Sequence, residues 1–233
     1  MAAAILNGET ERPTQADVAR HEAGHVMGSA LLGGGTRSSW VRYCQGAWIG
    51  MTVPRDVPAW HVPKIGGLQM LTPQGCIART VFCWSGPVAE RQHGRGGGAL
   101  NLANDMAEMV QGCEALRVGI TMAMFPNAQP EDHDDYESIQ HAGKVITDRL
   151  HGWTVAALGR ELERVEATAA KLVTHGRLIG RQLDWIMRGL TPISPSDLFD
   201  HLRQGLAVGP LPPNIPPAYL EGMQASAFGS GAE

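Results

Sequence analysis

The stretch Ala19-Arg20-His21-Glu22-Ala23-Gly24-His25-Val26-Met27 constrains this chain more than any other. Two imidazoles four positions apart act on one target only if the backbone between them is helical, because such positions lie one turn above each other on one face. His21 and His25 then point a ring nitrogen each at a single metal ion about 2 Å away, a distance that suits Zn²⁺. Glu22, next to the first ligand, reaches a water in the site without being a ligand itself. That is the position of a general base in a zinc peptidase. Two histidines do not hold a catalytic zinc, so the fold must deliver a third ligand from elsewhere.

The flanking residues supply the helix. Thr14 with Asp17 three positions on reads as an N-cap followed by an acidic first turn. Ala16, Ala19, Ala23, Val26, Met27, Ala30 and Leu31 recur at helical spacing, and Gly33-Gly34-Gly35 ends the run. The spacing predicts a helix over residues 14–32. On such a helix a metal site is favoured over a pair of surface or capped-core histidines, although the bare pattern also arises by chance.

The chain has 233 residues, enough for one well-buried domain. A formal charge of −4 and a pI near 6.1 give no electrostatic reason to expect nucleic acid. No run of apolar residues is long enough to span a membrane. Residues 1–7 lack a basic leader and a long apolar core, so no signal peptide is expected. Cys44, Cys76, Cys83 and Cys113 form no Cys-x-x-Cys pair and read as reduced, mostly buried thiols of a cytoplasmic protein. Cys76 and Cys83 fall on one face of a predicted helix, which is core spacing, and a zinc–thiolate site is the weaker reading.

Residues 1–13 read as a lead-in, 14–203 as the domain, and 204–233 as a Gly/Pro-rich tail. Within the domain, 40–44 and 47–53 are rich in β-formers around Gln45-Gly46, which predicts a hairpin or two adjacent strands. Pro54, Pro58, Pro63 and Gly66-Gly67 make 55–70 a loop. Thr72-Pro73 starts a second helix running to about 93, with a kink or close packing at Gly86-Pro87. The glycine-rich 94–98 is no phosphate loop, since no Gly-Lys-Ser/Thr follows. A third helix is expected over 102–121. A fourth begins at the acidic 131–135, read as a solvated helix start rather than a second metal site. From 136 to 174 the chain is expected to be helical, bent at His151-Gly152. Leu158, Leu162, Val165, Ala169 and Leu172 form its core-facing stripe. A last short helix includes 182–187.

Candidates for the third ligand are Glu90, His93, Asp105 and Glu108, and spacing does not choose among them. A resemblance does. His21-Glu22-Ala23-Gly24-His25 is similar to the zinc motif of the peptidase domain of the FtsH-type AAA proteases. The likeness continues in the same order. Residues 41–54, with Gly46, Gly50, Met51 and Thr52, resemble the family's following strand pair. Ser85-Gly86-Pro87-Val88-Ala89-Glu90 resembles its Gly-Gly-x-x-Ala-Glu segment. Gly98 to Asp105, ending Ala103-Asn104-Asp105, resembles its stretch ending Ser-Asn-Asp, whose aspartate is the third zinc ligand. His175-Gly176-Arg177-Leu178-Ile179-Gly180 resembles the close of its C-terminal helical pair.

The resemblance covers about residues 14–190. It implies a mainly α zinc-metallopeptidase domain with a small β-hairpin or sheet after the first helix. It also implies His21, His25 and Asp105 as zinc ligands, with Glu22 as the catalytic base. The family's ATPase module and transmembrane segment have no counterpart here, so the expectation is a standalone peptidase without intrinsic ATPase. Its expected substrates are peptides or unfolded protein, with a separate ATPase or a homo-oligomer as further partners. The alternative is a catalytically weak zinc-binding adaptor or regulatory module of the same fold.

Overall fold

The computed structural model describes residues 12–61, 72–92 and 133–209. Helix α1 spans Gln15–Leu31 and is the element about which the others assemble. Its start is a capping box. The Thr14 hydroxyl accepts from the Asp17 N–H, and the Asp17 carboxylate accepts from the Thr14 N–H, which satisfies two otherwise orphaned donors. Its end is set at Gly33, whose φ of 75° is the left-handed conformation that glycine adopts without strain.

Strands β1 (Thr36–Cys44) and β2 (Ala47–Pro54) form the expected hairpin. Gln45 and Gly46 both have positive φ, 50° and 84°, the backbone of a tight turn matched to strand twist. Helix α2 (Pro73–Gln92) begins as anticipated, with the Thr72 hydroxyl accepting from the Gly75 N–H at 3.0 Å. Helix α3 (His133–Arg160) and helix α4 (Leu162–His175) follow. They lead into a short strand β3 (Arg177–Ile179), helix α5 (Gly180–Ile186) and helix α6 (Pro195–Leu202). Among the described residues the architecture is mainly helical, with a three-stranded antiparallel sheet of order β2-β1-β3. Among the described residues, no helix is long and apolar enough to cross a membrane.

Helix α3 runs unbroken through His151-Gly152 to Arg160, and the stretch expected to be helical is interrupted at Glu161. Leu150 and Thr154 are fully buried on either side of the exposed Gly152, and this anchoring outweighs the ~1 kcal/mol that a helical glycine costs. Strand β3 was not anticipated, because three residues carry no alternation signal. It forms because Gly176, at φ 67°, ends α4 and turns the chain back along Ser38, Ser39 and Trp40. Helix α6 was not anticipated either, although Ser194-Pro195 and Asp197 spell its start: the Ser194 hydroxyl accepts from the Asp197 N–H.

Two core clusters hold these elements. One packs Ala23, Val26 and Met27 of α1 against Leu158, Val165, Ala169 and Leu172 of the predicted stripe, with Leu178 and Leu183 beyond; Leu162, expected in that stripe, is half-buried next to the interruption at Glu161 and lies outside the cluster. The other packs Cys76, Ile77 and Val81 of α2 against Ile146, Leu150, Leu198 and Phe199, and reaches as far as Val208. Each fully buried aliphatic or aromatic side chain contributes about 1.5–3 kcal/mol. The consequence for α1 is burial on almost every side, so the polar residues of its central turns are enclosed.

Candidate metal centre

His21, Glu22 and His25 are all buried, at 2, 3 and 4 % exposure. Unpaired polar groups are costly in such surroundings, so their partners are informative. The Nε2 atoms of His21 and His25 converge to 3.0 Å. On the far side of each ring, Nδ1 meets an acceptor: Glu90 Oε1 at 2.5 Å from His21, and the Phe82 carbonyl at 2.7 Å from His25. A carboxylate and a carbonyl accept, so each Nδ1 carries the ring proton, and in the neutral rings each Nε2 presents a lone pair. Two nitrogens so oriented can share one cation. Ligand histidines commonly donate their other N–H to a carboxylate or a backbone carbonyl in this way.

The spacing fits as well. Two nitrogens about 2.0–2.1 Å from a tetrahedral zinc lie about 3.3 Å apart, within a few tenths of an ångström of the observed separation. Gly86 of α2 leaves the necessary room. A Cβ there would sit 2.6 Å from His25 Nε2 and 2.7 Å from His21 Nε2, filling the cradle that the two nitrogens face. The close packing anticipated at Gly86-Pro87 is therefore present. It extends down the crossing of the two helices, where Gly24 and Gly28 of α1 lie directly against Ser85. The donor set and the cradle fit a zinc ion.

Glu22 faces the sheet. Thr52 of β2 donates from its hydroxyl to Glu22 Oε2 at 2.7 Å, and the Thr52 and Ser39 hydroxyls are 2.9 Å apart. Thr52 and Ser39 are direct partners in the β1–β2 register, and both are buried. Gly50, two residues before Thr52 and on the same face, carries no side chain where one would strike Glu22 Oε1 and Cγ, each 2.5 Å away. Phe82 stacks on His25 with ring centroids 4.7 Å apart and closes the site on that side.

Of the four third-ligand candidates, Glu90 is placed behind His21, on Nδ1, on the far side of the ring from the Nε2 that faces His25. It orients the imidazole instead. His93, Asp105 and Glu108 lie outside the described residues, as do Cys113 and the helix expected over 102–121. Among the described residues, no group of three or more His, Cys, Asp or Glu side chains is arranged to hold a metal. Sequence reasoning did not assign Thr52, Ser39 or Gly50 a role. The available signal was the glycine inside a β-pattern, which marks a close approach.

Cys76 and Cys83 are buried in the core, as their spacing suggested, and burial pushes the Cys76 thiol up to about 12. They are packing residues. No protein-family model matches the chain, and no curated protein matches it.

Proposed function

We propose that this chain is a zinc-dependent endopeptidase with His21, His25 and Asp105 as metal ligands and Glu22 as the base. The observation that carries the reading is the convergence of two buried Nε2 atoms at 3.0 Å, with both Nδ1 atoms on acceptors. Asp105 enters through the family resemblance alone. A zinc ion held by these residues would supply Lewis acidity to the scissile carbonyl and to a water.

The remaining steps belong to the chain's own residues. Glu22 takes the proton from the attacking water and later passes it to the leaving amine. Strand β2 is an edge of the sheet among the described residues. An extended peptide adding alongside it gains main-chain hydrogen bonds whatever its sequence. Gly50 on that strand lies against Glu22, so such a peptide is delivered beside the base. Substrates of this kind are peptides, flexible segments, or chains fed by a separate ATPase. No phosphate loop occurs in the sequence to drive unfolding from within.

The test is digestion of casein and a quenched fluorescent peptide, with zinc analysis, by the wild type, Glu22→Gln and Asp105→Ala. The wild type should bind one zinc and hydrolyse both. Glu22→Gln should keep zinc and lose on the order of 10²-fold or more in rate, and Asp105→Ala should lose the metal. A wild type that binds zinc and cleaves neither substrate overturns the peptidase reading in favour of a zinc-binding adaptor.

A further inference from the structure

The hydroxyl pair Ser39–Thr52 fixes the orientation of the Glu22 carboxylate. Thr52 has one hydroxyl proton, and a carboxylate only accepts, so Thr52 donates to Glu22 Oε2 at 2.7 Å. Thr52 Oγ1 then accepts the Ser39 proton across 2.9 Å. The polarity of this chain is set by the carboxylate at its end. Both hydroxyls are buried, and their strands are paired in register at Ser39–Thr52, so the pair is presented to Glu22 from a fixed backbone. The second carboxylate oxygen, Oε1, lies over the Cα of Gly50, where any larger residue would displace it.

We infer that Thr52, backed by Ser39, is a positioning residue. It holds Oε2 and so fixes the plane in which the Glu22 carboxylate is presented as base. This rests on the peptidase reading of the site. A hydrogen bond to a charged group holds its geometry more firmly than one between neutral groups. A base displaced by an ångström loses about 10²-fold in rate. The inference assigns a duty to strand β2 beyond binding substrate: the same strand that offers the edge also aims the carboxylate.

The experiment compares wild type, Thr52→Val, Thr52→Ser and Ser39→Ala on the quenched peptide, with Glu22→Gln as the zero and zinc affinity measured for each by chelator competition. Valine keeps the shape of threonine and removes only the hydroxyl. Thr52→Val should lower kcat about 10- to 100-fold with KM within about twofold and zinc affinity unchanged. Thr52→Ser should restore most of the rate, and Ser39→Ala should fall between. A crystal structure of Thr52→Val should show the Glu22 carboxylate rotated. Wild-type kcat in Thr52→Val, or an unrotated carboxylate, overturns this inference and leaves the peptidase reading intact. A wild type with zinc and no hydrolysis overturns both. Loss of zinc from Thr52→Val, with Thr52→Ser equally inactive, would make the hydroxyl a structural prop and also overturns it.

Discussion

Glu90, near the end of α2, accepts the Nδ1 proton of His21 at 2.5 Å while both residues are buried. This contact selects the tautomer that leaves His21 Nε2 facing His25 Nε2. It also holds the plane of the ring. The residue that looked like a ligand on sequence grounds instead supports the His21 ring.

Removing that support should weaken zinc binding without abolishing it. Glu90→Ala should raise the zinc dissociation constant about 10- to 100-fold, and Glu90→Gln should raise it less. Chelator competition reads both. An unchanged affinity for Glu90→Ala would remove Glu90 from the site.

Gly86→Ala tests the cradle itself. The added methyl would meet both Nε2 atoms at 2.6–2.7 Å, closer than a carbon and a nitrogen approach without displacement. The variant should fold, by circular dichroism, yet bind zinc at least about 10-fold more weakly and lose hydrolysis. Full zinc occupancy in Gly86→Ala would show that the metal does not sit against α2.

The crossing of α1 and α2 should be intolerant of added volume. Gly28→Ala drives its methyl into the Ser85 side chain, and overpacking of this kind costs about 1–3 kcal/mol. Ser85→Gly in the same chain should recover most of the loss, since the obstructing atoms are the Ser85 Cβ and Oγ. Denaturant unfolding of the two single variants and the pair gives the coupling. Simple additivity would mean that the helices separate rather than clash.

Cys76 gives the fold a pH dependence on the alkaline side. Burial raises its thiol from 9.0 to about 12, so the folded state keeps the proton over a range in which the unfolded chain releases it. The stabilisation is fully present below 9.0 and is lost as pH rises from there towards about 12. Cys76→Ala should be less stable at neutral pH, from the lost packing, but should show a shallower alkaline decline. At neutral pH the native Cys76 should resist iodoacetamide, whereas the partly exposed Cys44 reacts.

Local signals in the sequence were legible because the interactions they encode are local. Thr14 and Asp17 meet within one turn, Gln45-Gly46 closes its own hairpin, and Thr72 caps the helix beginning beside it. The stripe from Leu158 to Leu172 was legible as core because helical periodicity sums over many residues. The partners of the site were not legible. His21 and Glu90 are 69 positions apart, Glu22 and Thr52 30 apart, and nothing in the spacing states which atom of a ring an acceptor will meet. The glycine at 86 marked a close approach without naming what approached, and the glycine at 50 went unread.

The sequence by itself determined a capped helix with His21 and His25 on one face, because helical pitch places positions four apart together regardless of what surrounds them. Only the tertiary structure decided that both Nε2 atoms face each other rather than opposite walls. That follows from Phe82 and Glu90 of α2 claiming both Nδ1 protons, and from Gly86 leaving space between. Tertiary structure likewise decided which oxygen of Glu22 is held, since β2 reaches α1 only once the hairpin has packed across it. Pitch is a property of the backbone, whereas a buried side chain takes its orientation from hydrogen-bond partners that are distant in the chain.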